Sequence, residues 1–143
     1  MKRSEALQGL SREHHGALAL ASRVRRVALA GDGAALAATL ERVRVAFRSE
    51  LLPHFEEEER RLLPVLEKDG QTDLVARTLA EHREMACLVA SLPAGGADIL
   101  LAFADLLGRH VRFEERELFP ALEALTECQS SVPWDDAVRL QVA

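Results

Sequence analysis

Residues 54–67 read HFEEEERRLLPVLE, and residues 110–123 read HVRFEERELFPALE. The two stretches align without a gap and share the frame H-x-x-x-E-E-R-x-L-x-P-x-L-E. A shorter echo, Glu-His, stands at residues 13–14 and again at residues 81–82. The sequence therefore divides into two similar halves. Each half has a Glu-His pair, followed by a longer frame that contains a second histidine and a glutamate four residues after it.

The residues around these motifs are patterned as α-helices. Apolar side chains recur every three or four positions, and Ala, Leu, Glu and Arg outnumber the β-branched residues. Three glycine-containing breaks divide the chain into four helices, predicted at about 4–30, 34–67, 72–92 and 97–125. Short connections between long helices make neighbours antiparallel. We therefore predict an all-α fold, an up-down four-helix bundle over residues 1–125, with a C-terminal tail at 126–143.

Composition excludes several classes of protein. The 143 residues suit one domain, and Lys+Arg 18 against Asp+Glu 23 gives a net charge of −5, which repels nucleic acid. Two cysteines, Cys87 and Cys128, make no disulfide framework. The charged N-terminus lacks a signal peptide's apolar region, and no run of about 18 apolar residues exists to span a membrane. We expect a cytoplasmic protein.

One histidine on each predicted helix falls on the apolar face, because residues i, i+3, i+4 and i+7 share a face. These four are His14, His54, His82 and His110. Glu58 and Glu114 follow the histidines of the second and fourth helices by one turn. His15 falls on a more polar side, and Pro53 predicts a local bend beside His54.

Buried carboxylates need compensation. An ionised carboxylate in a bundle core costs several kcal/mol unless it is paired or binds a metal. No Lys or Arg lies on the same faces, so a pair of divalent cations would supply the missing charge. Imidazole and bridging carboxylate suit iron, manganese or zinc. We predict a two-metal centre with the ligands His14, His54, Glu58, His82, His110 and Glu114.

Two other metal motifs are absent. Ferritin-like bundles carry Glu three residues before His, but Leu79 and Leu107 stand at those positions before His82 and His110. The HExxH motif of zinc proteases is also absent.

The combined motif resembles the hemerythrin family in its broad HHE cation-binding form. The likeness covers roughly residues 5–125 and rests on Glu13-His14, Glu81-His82 and the two longer frames. It implies a non-haem centre of two iron ions, bridged by oxygen or by carboxylates, with zinc or manganese as alternatives. Members of this family bind dioxygen, sense oxygen or redox state, handle iron or respond to nitrosative stress.

Two departures separate this chain from the oxygen carriers of that family. Those carry HxxxH on the third helix, where this chain has Ala86, and Asp five residues after the last histidine, where it has Glu115. We favour Glu114 as the ligand because i+4 keeps nearly the same helix face, although a π-bulge could reverse that choice. His15 stays open as an alternative to His14. The reduced set is similar to a symmetric variant in iron-responsive relatives.

The leading functional hypothesis is a small di-iron protein whose partner is dioxygen or another oxidant. Because a histidine must be neutral to bind a metal, we expect metal affinity to fall as pH drops through about 6. An alternative is a di-metal enzyme with peroxidase-like or hydrolytic activity. A third is a sensor that signals through the tail around Trp134. The sequence favours a non-enzymatic role and leaves a homodimer open.

Overall fold

The computed structural model describes residues 3–128, except the side chains of residues 93–95 and 126–128. Within that range the chain is an all-α bundle of four helices, as predicted. They are α1 (Glu5–Ala30), α2 (33–68), α3 (72–95) and α4 (97–128). The helical run Thr72–Phe113 is divided into α3 and α4 by Gly96, whose φ of 57° and ψ of −134° lie outside the helical region.

Widened π-helical turns interrupt α2 and α4. They span Phe47–Leu51, Glu58–Leu62 and Glu114–Leu118, and each is closed by a backbone N–H that donates to the carbonyl five residues earlier. A proline follows each closing residue, at positions 53, 64 and 120. Proline lacks an N–H and its ring clashes with the carbonyl four residues back, so a wider turn just before it accommodates the ring.

The connection between α1 and α2 is two residues long. Gly31 adopts φ 75° and its N–H donates to the Val27 carbonyl, a conformation that glycine reaches without strain. The Asp32 carboxylate then accepts hydrogen bonds from the N–H groups of Ala34 and Ala35. This tight connection makes α1 and α2 antiparallel neighbours.

The apolar core has two layers along the bundle. One layer is formed by residues such as Val24, Val43 and Phe103, and the other by residues such as Leu7, Leu66 and Phe119. All four helices contribute to each layer. The buried histidines and glutamates lie along the helices between the residues of these two layers.

The described ends of the chain meet at one end of the bundle. The Ser4 N–H donates to the Glu123 carboxylate at 3.0 Å, which places the start of α1 beside the last turns of α4. Helix α4 runs to Cys128, three residues past its predicted end at residue 125. The remainder of that tail, with Trp134, lies outside the described residues.

Among residues 3–128, none of the helices combines the length and the apolar composition that crossing a bilayer requires.

Candidate metal centre

The six residues predicted as metal ligands converge in the middle of the bundle. Each helix supplies one histidine, α2 also supplies Glu58 and α4 also supplies Glu114. Both glutamates are fully buried, and the four histidines are 1–5% exposed. Position on the apolar face of a helix therefore predicted burial correctly for all six.

Both glutamates lie between histidines of different helices. Glu58 places Oε2 3.0 Å from His54 Nε2 and Oε1 3.2 Å from His82 Nε2. Glu114 places Oε1 3.0 Å from His14 Nε2 and Oε2 3.3 Å from His110 Nε2. Each carboxylate thus reaches one histidine of the α1–α2 pair with one oxygen and one histidine of the α3–α4 pair with the other.

The donor atoms fall into two groups that could each hold a metal ion. One group takes its histidines from α1 and α2, and the other takes them from α3 and α4. The groups are His14, His54, Glu58 and Glu114, and His82, His110, Glu58 and Glu114, with the ligand atoms of each within 4.8 Å of one another. Two imidazoles and two shared carboxylates at each position form a donor set suited to iron, manganese or zinc.

Several of these donor atoms make no hydrogen bond, because the atoms that lie 3.0–3.3 Å apart are not oriented for one. Within the described residues, six of the eight buried side-chain polar atoms that lack a partner belong to the centre. They are His54 Nε2, His82 Nε2, His110 Nε2, Glu58 Oε1, Glu58 Oε2 and Glu114 Oε2. Buried polar atoms are normally paired, and leaving one unpaired costs roughly 1–3 kcal/mol. The donor set therefore fits a pair of cations.

On the side of the ring that faces away from the centre, the Nδ1 atom of each histidine lies within hydrogen-bond distance of a second carboxylate. The pairs are Glu115 with His14 (2.6 Å), Glu13 with His54 (3.1 Å), Glu59 with His82 (2.7 Å) and Glu81 with His110 (2.8 Å). An ionised carboxylate only accepts hydrogen bonds, so Nδ1 carries the proton. The lone pair of a neutral ring then lies on Nε2 and faces the centre.

The outer carboxylates differ in how they are held. Arg77 donates to Glu81, and Ser11 and Arg3 donate to Glu115. The side chains of Glu13 and Glu59 are more exposed, at 55% and 42%. Each of the two groups therefore has one histidine whose outer carboxylate is held by hydrogen bonds from other side chains, and one histidine whose outer carboxylate is more exposed to solvent.

Aromatic rings stack in parallel on two of the histidines. Phe55 stacks on His82 with ring centres 4.0 Å apart and planes inclined by 16°. Phe119 stacks on His14 at 5.2 Å and 8°. These contacts fix the planes of both imidazoles.

Burial and mutual proximity shift the pKa values of the inner residues. Burial, followed by repulsion from Glu114, raises the pKa of Glu58 well above its usual range. Burial alone would lower the pKa of His110, but Glu114, Glu81 and Glu58 raise it to about 10. Protons are therefore favoured on Glu58 and His110, from which a metal ion must displace them.

The structure distinguishes the residues that the sequence left as alternatives. The π turn begins at Glu114, so ordinary α-helical spacing holds from His110 to Glu114. Glu114 faces the centre, whereas Glu115 contacts the outer side of His14. His14 is buried and His15 is exposed. The role of the six inner residues as metal ligands stays a prediction.

Sequence reasoning assigned no role to Glu13, Glu59 or Glu81. Glu59 lies in the acidic run Glu56–Glu59, next to the candidate ligand Glu58, and its carboxylate reaches Nδ1 of His82. The repeat contained the signal, because a second glutamate follows the first in both long frames and a glutamate precedes the histidine in both short ones.

Comparison with known proteins is consistent with this geometry. Residues 5–122 match the family model of the hemerythrin HHE cation-binding domain. Neither the comparison with curated proteins nor the comparison with solved structures gave a match. The matched segment spans most of the chain and contains all ten histidines and glutamates of the inner and outer sets. The chain therefore belongs to the hemerythrin HHE cation-binding domain family.

Proposed function

We propose that this protein binds two iron ions and brings them into contact with dioxygen or another small oxidant, as a redox or oxygen sensor or in iron handling. The observation that carries the proposal is the set of six buried inner donors, of which three imidazoles and both carboxylates have atoms without a hydrogen-bond partner. Zinc and manganese suit the same donors and are the competing metals.

The residues of the chain have distinct parts in this proposal. His14 and His54 hold one ion, His82 and His110 hold the other, and Glu58 and Glu114 bridge the two. The four outer carboxylates orient the imidazoles and raise their basicity. The bound iron supplies one-electron chemistry and an acceptor site for an oxygen-donor ligand.

Iron loading followed by spectroscopy tests the proposal. The full chain is incubated with ferrous iron without oxygen, separated from unbound metal and then mixed with aerated buffer. We expect the absorption of oxidised iron to develop in the protein fraction, and we expect manganese or zinc to compete for the same two positions. Failure of the loaded protein to respond to oxygen or to peroxide would overturn the oxidant part of the proposal.

A single substitution tests the ligand assignment. His82→Ala removes one donor from the second position and leaves the first intact, so we expect the variant to retain one tightly held iron. A His82→Ala variant that still holds two iron ions would refute this assignment. The exposed neighbour variant His15→Ala is the matched control and should hold two.

A further inference from the structure

A cavity of about 320 Å³ reaches the candidate centre from one side of the bundle. It lies between α1 and α2 and meets His14, His54, His110 and Glu114. Leu20, Leu51 and Leu107 contribute apolar wall. The charged residues Arg12, Glu13 and Glu50 also border the cavity. The cavity therefore touches both histidines of the first metal position but only one of the second.

The two halves of the chain differ in side-chain size at the positions that border this space. Val111 follows His110 and lines the cavity. Its larger counterpart Phe55, which follows His54, also lines the cavity and stacks on the ring of His82. Ala17 stands three residues after His14 and lines the cavity.

The counterpart of Ala17 is Met85, three residues after His82, which is fully buried in the core. At positions 17 and 111, which line the cavity, the chain therefore has smaller residues than at their repeat counterparts 85 and 55. The internal repeat is symmetric in its donors and asymmetric in its packing.

We propose that this cavity is a one-sided pocket for a short-chain organic anion with an oxygen-donor head, such as a carboxylate, and that Ala17 and Val111 set the size of the ligand. The head binds at the ion held by His14 and His54, and the chain lies against the leucines. This inference rests on the proposed di-iron function.

Volume and charge support that class of ligand. One water molecule takes up about 30 Å³ in the liquid, and a diatomic gas molecule is of similar size. The cavity volume of about 320 Å³ is therefore several times larger than such a ligand needs. It falls within the usual range of small-molecule pockets, about 300–1,000 Å³. The two cations and Arg12 at the border of the cavity attract an anionic oxygen-donor head, and this attraction has to exceed the repulsion from Glu13 and Glu50 at the same border. The leucine walls favour an apolar chain.

A carboxylate series measures the contribution of the chain. The full-length iron-loaded protein is oxidised and titrated with acetate and then with butanoate, with binding followed by the change in iron absorption. Each buried methylene adds roughly a factor of four in affinity. We therefore expect butanoate to bind at least fivefold more tightly than acetate. Equal affinities would overturn the inference.

Filling the pocket tests the residues that set its size. Val111→Phe and Ala17→Met each copy the residue found in the other half of the chain, and both leave the donors unchanged. We expect iron content to stay at two per chain, butanoate affinity to fall at least tenfold and acetate affinity to fall less. Met85→Leu adds no volume to the pocket and should change neither affinity by more than twofold.

The outcomes separate this inference from the proposed function. A natural chain that holds no iron removes the proposed function and this inference with it. Iron-loaded Val111→Phe and Ala17→Met that bind butanoate within twofold of the natural chain overturn the pocket alone. If Val111→Phe does not fold, Val111→Leu provides a smaller filling residue with the same readout and the same criteria.

Discussion

At the scale of single residues, the centre depends on pairs of neighbouring glutamates with different roles. Glu114 is fully buried and faces the imidazoles of His14 and His110, whereas Glu115 is partly exposed and contacts the outer nitrogen of His14. One position along a helix turns a side chain by about 100°, which is enough to move it from the inner set to the outer set. The same division holds for Glu58 and Glu59.

Substitution of these glutamates should give graded losses of metal. We expect Glu114→Gln to lose at least one of two ions, because it removes a bridging charge. We expect Glu115→Gln to keep both ions with affinity reduced about 10–100-fold, the usual effect of losing an outer hydrogen-bond partner. Metal competition with a chelator measures both. Glu117→Gln, on the exposed side of the same turn, is the control, and equal losses from all three variants would contradict the assigned roles.

The raised pKa of His110 predicts how the stability of the metal-free chain changes with pH. Its folded pKa of about 10 exceeds the unfolded value of about 6.5. The corresponding stabilisation is therefore fully present below pH 6.5 and is lost as pH rises toward 10. The raised pKa of Glu58 also makes the folded chain less stable as pH rises above the pKa that this glutamate has in the unfolded chain. The lowered pKa of Glu114 changes the free energy of unfolding only at acidic pH, where stability is lost as pH falls.

We therefore expect the free energy of unfolding of the metal-free chain to be lower at pH 9 than at pH 6.5 by more than about 1 kcal/mol. The metal-loaded chain should show the opposite trend, because deprotonated histidines bind metal more tightly. Urea unfolding at the two pH values, with chelator or with metal, measures both. A metal-free chain that gains stability at pH 9 would contradict the assigned protonation.

At the scale of helices, the periodic pattern of the sequence predicted the four elements and their buried faces. Each of the four inward histidines lies on the apolar stripe that was predicted from spacings of three and four. The widened turns before Pro53, Pro64 and Pro120 were not predicted beyond a bend at Pro53, because the sequence alone does not show where a helix widens to accommodate a proline ring.

The connection between α1 and α2 provides a test at this scale. The Asp32 carboxylate caps the first N–H groups of α2, so Asp32→Ala should lower the free energy of unfolding by about 0.5–2 kcal/mol. Asp32→Asn keeps an accepting oxygen and should restore most of that loss. Because the cap lies far along the helix from His54, metal content should not change. Thermal unfolding of the three proteins measures the effect, and equal stability of all three would show that the cap contributes nothing.

At the scale of the whole molecule, two apolar layers enclose a charged centre to which all four helices contribute. The internal repeat predicted this pseudo-symmetric arrangement of donors. The repeat did not predict the one-sided cavity, because the sequence does not show which residues Val111 and Phe55 contact. The outer carboxylates were also missed, since a surface glutamate in a charged run gives no sign of which helix it contacts.

Two buried carboxylates without a bound metal should reduce the stability of the chain. Replacing a whole buried ion pair with apolar residues of similar size often stabilises a protein, by about 1–4 kcal/mol, whereas removing one partner leaves the other buried charge unpaired. Because Glu114 faces His110, we expect Glu58→Met combined with Glu114→Met and His110→Leu to unfold at higher urea concentration than the natural chain when both are metal-free. Paired unfolding curves in chelator measure this. A variant less stable than the natural chain would assign the two glutamates a structural role instead.

The most direct test of the two-metal centre is the iron content of the full-length chain, measured by elemental analysis after anaerobic loading and removal of unbound metal. We expect two iron ions per chain for the natural sequence, and none tightly bound when both Glu58 and Glu114 are replaced by Met. A natural chain with less than one iron ion, or a doubly substituted chain that keeps both, would contradict a centre built on these two carboxylates.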